Sequence, residues 1–286
     1  MKDLSHMRTG AGCTWLEVAI ISDKANTAIL GFIKCVIYER YREFDDFIAN
    51  YQTEPKKSGI SFSGQVLKEF YERPPVTLRK LLKARRTAHA LDVCPYCGFP
   101  LAPETLDHFL PKEDWPEYAI FSDNLVPQCR GCAPIKSARY FGLKEKQSLF
   151  LHPMYSAALS TLRFKIDVKM EELKVVFSPS FSISNNITDD EAKRVSLHLK
   201  NLQIRRRIVD YCNDQYRHWI RVAQSQACDI KAIFQSRLSE RECNPYPNNW
   251  STAFYQGVLN NADAIADLQG YAHSGPPKPK EEVRIL

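Results

Sequence analysis

The sequence predicts an α+β chain dominated by helix, and three observations carry that reading. Apolar residues recur at the helical period through Lys24–Tyr51 and again after Thr188. Between these stretches, LRFKIDVKM (Leu162 to Met170) alternates apolar and polar residues, which is the strand period. Two C-x-x-C pairs, Cys94/Cys97 and Cys129/Cys132, frame a segment that reads as a small fold held by a metal.

The elements follow in order. Lys24–Tyr51 reads as a long helix, with Ile29, Ile33, Val36, Ile37, Phe44, Phe47 and Ile48 on its apolar stripe. Phe62–Glu72 reads as a shorter helix closed by Pro74 and Pro75. Thr77–Leu91 reads as a third, with Leu78, Leu81 and Leu82 inward and its basic residues outward. Residues 1–90 therefore form a helical lead-in, and residues 91–145 hold the cysteine segment. Past it, Leu162–Met170 and Leu173–Phe177 are spaced as a β-hairpin. Thr188 and Glu191 make a capping box ahead of Ala192, Val195, Leu199 and Leu202. A further helix is expected from Ile204 to about Ala223, and residues 146–270 are read as this hairpin plus a helical region. The Pro- and charge-rich end, SGPPKPKEEVRIL, is read as an extended, flexible tail over 271–286.

Composition narrows the class. The chain has 286 residues, enough for one elaborated domain or a few modest pieces. Apolar residues at 44% and charged residues at 25% fit an ordinary soluble globular protein. No apolar run reaches the roughly 18 to 20 residues a membrane span needs, and the start lacks the order of a signal peptide. Nine cysteines, five of them scattered, suit a reducing cytoplasm better than a disulfide framework. The net charge of +6 is mild. Its distribution says more: Leu78 to His89 carries Arg79, Lys80, Lys83, Arg85 and Arg86 with no acid, and Arg205, Arg206 and Arg207 are consecutive. Such patches attract polyanions, although each also suits a solvated helix face.

The doubled C-x-x-C is the most specific signal. Each pair can place two thiolates on one tight turn, and two facing turns give the tetrahedral sulfur site that zinc prefers. With Cys94, Cys97, Cys129 and Cys132 all spent as ligands, the zinc is closed and structural. It does not activate water, so any catalysis must come from between the pairs.

That intervening stretch, with CPYC, LDHFLPK, NLVPQC and CRGC in this order, resembles the HNH (His-Me finger, ββα-metal) endonucleases over about Cys94 to Tyr140. The resemblance implies a zinc-clamped ββα finger set between helical regions. It makes His108 the general base, a task that a neutral imidazole near pH 7 suits. It makes Asp107 a ligand to a catalytic Mg2+ or Mn2+, and Asn124 the residue that holds the base in place by bonding across the loop. Because successive strand residues face opposite sides, a bend is required if Asp107 and His108 are to meet one phosphate. Lys136 would steady a phosphate or solvate a helix end. Arg79, Lys83 and Arg86 would add backbone contacts. The implied reaction is phosphodiester hydrolysis leaving a 5′-phosphate, on DNA by family habit, with RNA not excluded.

One position departs from the pattern. The residue after the last cysteine is usually Asn or His, the second protein ligand to the catalytic ion, and here it is Ala133. The intact surroundings favour an alanine substituted for Asn or His, which silences such a nuclease. A naturally degenerate relative would look the same, and Asp123 or Gln128 would be substitute ligands. The stretch HPMYS, the hairpin, and NNWSTAFYQGVL add a more diffuse resemblance to bacterial HNH proteins encoded beside an ATPase in antiphage defence, including Septu-type systems. It implies an ATPase partner docked through the helical regions and a bacterial cytoplasmic location. The rival reading is a non-catalytic zinc module that binds nucleic acid or a partner.

Overall fold

The computed structural model describes residues 1–87, 90–172, 174–226, 228–240 and 247–272. Among these the chain is α+β, mostly helical, with small antiparallel hairpins. No helix among the described residues is long and apolar enough to cross a membrane. The tail expected over 271–286 lies, beyond Ala272, outside the described residues.

Two compact units form, and neither is a continuous stretch of chain. One joins Met1–Leu162 to Ile183–Gln203, the other joins Arg163–Ser182 to Ile204–Leu286. This cuts across the linear division at 90, 145 and 270. The capped helix belongs with the first unit because its buried His198 bonds there at both ring nitrogens. Nδ1 accepts from Leu151 N at 3.2 Å, and Nε2 lies 2.7 Å from the Tyr96 carbonyl.

In the first unit, α1 (Trp15–Ile20) precedes α2 (Thr27–Ala49). The buried stripe of α2 is Leu30, Ile33, Ile37, Tyr41, Phe44 and Ile48, spaced by three and four. Val36, placed inward by the sequence reading, is instead 46% exposed, because the turn through Ile33 and Ile37 sends it to the far side with Phe32. The first turns of α2 are thus apolar all round, and Ala28, Gly31, Phe32 and Cys35 share the bare side. Two further helices follow, α3 (Ser61–Glu72) and α4 (Val76–Thr87), the latter stopping short of Leu91. Leu78, Leu82 and Arg85, at i, i+4 and i+7, form the buried face of α4. Arg85, expected outward with the other cations, is therefore a correction. Its guanidinium is needed inside, where it donates to the carbonyls of Leu125, Ser122 and Met7 at 3.0, 2.6 and 2.7 Å. Arg79, Lys80, Lys83 and Arg86 are exposed.

Strand β1 (Thr105–His108) then pairs antiparallel with β2 (Leu125–Gln128), and α4 packs against both. One turn of helix, α5 (Ala133–Lys136), follows. A short hairpin, β3 (Phe141–Gly142) with β4 (Gln147–Ser148), comes next. The unit is completed by α6 (Asp189–Asn201), capped as its sequence specifies. Thr188 Oγ1 accepts from Glu191 N at 3.3 Å, and the Glu191 carboxylate accepts from Thr188 N at 3.3 Å.

In the second unit, β5 (Arg163–Glu171) pairs with β6 (Lys174–Ser182) along nine residues each. The second strand outruns its expected end at Phe177 and carries Pro179 opposite Ile166, which a two-stranded sheet tolerates because both strands have an open edge. Leu173, where that strand was expected to begin, is outside the described residues. Among the described residues four helices follow: α7 (Ile204–Ser225), α8 (Ile230–Ser239), α9 (Trp250–Leu259) and α10 (Ala262–Ala272). Phe177 of the sheet meets Phe254 of α9 and Tyr216 of α7, both at 5.9 Å between ring centroids. Helix meets sheet closely at Gly257, where a Cβ would lie 2.4 Å from the Ile166 carbonyl oxygen. Substituting Gly257→Ala should lower stability by about 1–3 kcal/mol, since backbone and not a soft side chain is in the way. Urea denaturation followed by far-UV circular dichroism measures it, and a change below ~0.5 kcal/mol would contradict the packing.

Candidate metal centre and the Asp107–His108 hairpin

Two knuckles bring four sulfurs together. At the first, Gly98 takes φ +74° and donates to the Cys94 carbonyl at 2.8 Å, while Cys94 N donates to Phe99 O at 3.0 Å. Only a residue without Cβ enters that left-handed turn cheaply. At the second, Cys132 N and Ala133 N donate to Cys129 O at 3.0 and 3.3 Å, which starts α5. All four thiols are buried and lie within 4.8 Å of one another. Cys97 Sγ is 3.7 Å from Cys129 Sγ, and Cys94 Sγ is 4.0 Å from Cys132 Sγ. Four sulfurs at the zinc–thiolate distance of about 2.3 Å stand about 3.8 Å apart at the corners of a tetrahedron. A disulfide, at about 2.05 Å, is excluded. The arrangement fits a metal such as zinc. Burial and neighbouring sulfurs push the thiols of Cys97 and Cys132 well up, so a cation is what would let such a cluster ionise.

The hairpin between the knuckles carries Asp107 and His108 on opposite faces of β1. Asp107 is buried and turned toward α5. Its Oδ2 accepts from the Tyr96 hydroxyl at 2.8 Å and from Lys136 Nζ at 3.0 Å. The Gln128 side chain also bonds the carboxylate. Burial raises the Asp107 pKa, and these three donors draw it back. Lys136 is fully buried, and its ammonium also donates to the carbonyls of His108 and Phe109 at 3.1 and 3.2 Å. The expectation that Lys136 meets a phosphate or solvates a helix end is therefore corrected: all three of its donors are spent inside the protein.

His108 faces the other way. Its Nε2 lies 3.0 Å from the Ala119 carbonyl, so that nitrogen carries the proton and Nδ1 is the acceptor. The Tyr71 ring stands edge-on to the imidazole, 4.3 Å between centroids at 69°. Burial lowers the His108 pKa to about 3, helped by the charges of Lys112 and Lys136 and opposed by the Ala119 carbonyl. The ring is neutral throughout the physiological range.

Asn124 ties this arrangement together. It is fully buried, its Oδ1 accepts from Leu110 N at 2.7 Å, and its Nδ2 donates to Leu110 O and Tyr118 O at 3.0 and 3.2 Å. The loop between the two strands is thereby closed, and Ala119, which holds His108, is fixed one residue beyond Tyr118.

The residues do not form a complete site for a divalent catalytic cation. Ala133 offers no ligand atom, and the Asp107 charge is already answered by Lys136. Of the two substitutes, Asp123 is committed elsewhere, accepting from Thr9 N and Gly10 N at 2.8 Å each. Gln128 Oε1 has no partner among the described residues and is buried on the face that Asp107 occupies. Of the cations expected to meet nucleic acid, Arg79, Lys83 and Arg86 remain exposed on α4. Tyr71, Tyr96 and the Ala119 carbonyl were not singled out by the sequence reading. Tyr96 sits in a knuckle where any residue is allowed, and Tyr71 occupies an ordinary helical apolar position.

No family model matches the chain, and no solved structure matches it. The chain is similar to Protein ea31 of Escherichia phage lambda, 27% identical over 192 residues, covering 59% of this chain and 62% of that protein. The match thus spans less than two thirds of the relative's length.

Metal content tests the cluster. Purified chain should carry one zinc, released when the thiols are modified, and Cys129→Ser should abolish binding and lower thermal stability sharply. Full zinc content in Cys129→Ser would remove Cys129 from the ligand set.

Proposed function

We propose that this chain is built on the HNH endonuclease plan, a zinc-clamped ββα finger that directs a histidine base at a phosphodiester bond of DNA, and that Ala133 leaves it deficient in the catalytic cation. The observation that carries the reading is the relay from Asn124 through the 118–119 backbone to His108 Nε2. It spends one imidazole nitrogen on a fixed carbonyl and leaves Nδ1 as the acceptor. A water between Nδ1 and phosphorus would lose its proton to that nitrogen as its oxygen forms the new P–O bond and the 3′-oxygen departs. A base with pKa about 3 gives little driving force, but an anionic phosphate beside it stabilises the imidazolium and raises that value. Mg2+ or Mn2+, when bound, would offset charge on the phosphate and on the leaving oxygen.

The test restores what is missing. Supercoiled plasmid is incubated with the chain or with Ala133→Asn, in magnesium or manganese, with His108→Ala made in both backgrounds. Nicking should be weak or absent with Ala133. It should rise in Ala133→Asn by more than the ~10–100-fold that an outer-shell change costs, and vanish with His108→Ala. A second reading, a zinc module that binds nucleic acid or a partner without cutting it, draws on the buried Asp107–Lys136 pair. Binding without cleavage in every variant would select it.

An ATPase partner, implied by the antiphage resemblance, would have a surface to cover. Phe32 is 91% exposed on the bare side of α2, and Ile21 nearby in sequence is 81% exposed. Phe32→Asp should leave the circular dichroism spectrum unchanged and abolish co-purification with an ATPase encoded beside this chain. Undiminished co-purification would clear α2 of that role.

A further inference from the structure

Three polar groups with unused bonding capacity belong to His108 and to the two helices, α3 and α4, that precede its hairpin. The first is Nδ1 of His108 itself. The second is the Tyr71 hydroxyl. The Tyr71 ring is largely buried against the imidazole, yet its hydroxyl makes no hydrogen bond among the described residues and is not sealed from solvent. The third is the Arg86 guanidinium, at the exposed end of α4, which enters no ion pair among the described residues. The charges of Arg86 and Lys112 both act on the Tyr71 hydroxyl, pulling its pKa down against the effect of burial. Lys112 Nζ lies 6.0 Å from the Tyr71 ring centroid but is paired with Glu72 and Glu113. Arg86 is thus the uncommitted cation of the group. A neutral hydroxyl donor within the field of a free guanidinium suits an anion with several acceptor oxygens, and a hydrogen bond to a charged acceptor is about twice as strong as a neutral one.

We propose that Tyr71 and Arg86 form a receptor for a backbone phosphate of a nucleic-acid strand, next to the phosphodiester that His108 faces. The Tyr71 hydroxyl and the Arg86 guanidinium donate to the phosphate oxygens, while the Tyr71 ring stays packed on the imidazole. The position of the strand relative to His108 is then set by a phosphate one step away, a contact that positions without reading sequence. This deepens the nuclease reading and rests on it for the role of His108, but the receptor itself requires no cleavage.

Binding is measured without divalent ions, by anisotropy of a labelled single-stranded 15-mer and of the matching duplex, across a series of salt concentrations. Tyr71→Phe keeps the ring and removes only the hydroxyl. Arg86→Gln removes the charge. Lys169→Gln, an exposed strand residue of the second unit, controls for net charge. Tyr71→Phe should weaken binding by roughly 10-fold, the lower end of what a hydrogen bond to a charged group contributes. Arg86→Gln should weaken it similarly and reduce the salt slope by about one, while Lys169→Gln changes neither. Millimolar inorganic phosphate at constant ionic strength should compete with the oligonucleotide on the parent chain and fail to on Tyr71→Phe. Binding of free phosphate, measured directly by calorimetry, with no measurable oligonucleotide binding would mean a small-anion site and overturn the strand receptor. So would a Tyr71→Phe variant that binds like its parent, an Arg86→Gln variant indistinguishable from Lys169→Gln, or no binding of either oligonucleotide. If Ala133→Asn never cuts but Tyr71→Phe weakens binding, the receptor stands and hydrolysis falls. If Ala133→Asn cuts and Tyr71→Phe binds normally, the reverse holds.

Discussion

The convergence of four buried thiols is the constraint on which the candidate site depends. Cys94 and Cys97 stand before the hairpin, Cys129 and Cys132 after it, so whatever joins the sulfurs also closes the loop that presents Asp107 and His108. A chain closed at that base still has to order the long connection between β1 and β2. Asn124 does so with one side chain, spending both ends of its amide on the backbone of Leu110 and Tyr118. Arg85 performs the matching task from outside, donating to Ser122 and Leu125 around the start of β2. Each of these is a buried polar group satisfied by main-chain partners. Losing one partner would leave the other unpaired at a cost of about 1–3 kcal/mol.

The two faces of β1 are set up by opposite electrostatic means. On one face a carboxylate is buried and its charge is met by an ammonium that is itself sealed from water. Removing one member of such a pair costs about 3–5 kcal/mol, so Asp107 and Lys136 hold the hairpin and α5 together even without an added cation. On the other face a partly buried imidazole has no carboxylate partner, and desolvation, aided by the charges of Lys112 and Lys136, keeps it neutral. The strand alternation that separates the two residues is the reason their environments differ so sharply. The bend that would aim both at one phosphate is absent from the register, which runs unbroken from Thr105–Gln128 to His108–Leu125.

Much of the framework was legible because it rests on local patterns. The C-x-x-C spacing needs only a tight turn, and Gly98 supplies its left-handed residue. The Thr188–Glu191 box is a contact between near neighbours. The period in Arg163–Glu171 follows directly from one buried face. What escaped was decided by tertiary choice. Arg85 and Arg86 are adjacent and chemically alike, yet one is buried and the other exposed, because α4 has only one face against the hairpin. Nothing in a run of cations marks which of them the core will take. Lys136 was misread for the same reason, since a lysine at a helix end is ordinarily solvated. Tyr71 carries no local signature, for it meets His108 only through a contact between different elements.

The position of Ala133 bears on the electrostatics more than on the fold. It starts α5 with its backbone N–H bonded to Cys129, a role any residue other than proline can fill, so the side chain there is free to serve chemistry. With a methyl group in place, the side-chain ligand atoms that this face offers among the described residues are the Asp107 carboxylate, which Lys136 already neutralises, and the unpartnered Gln128 Oε1, since the Tyr96 hydroxyl is spent as a donor to Asp107. A divalent ion entering this space would have to displace a tethered ammonium while gaining one charged oxygen and one neutral oxygen. Magnesium in particular gives up its water reluctantly and demands near-octahedral oxygen geometry. The balance therefore lies with the ammonium for as long as residue 133 contributes nothing. A side chain with a ligand atom at that position, Asn or His, is what would be needed to shift it.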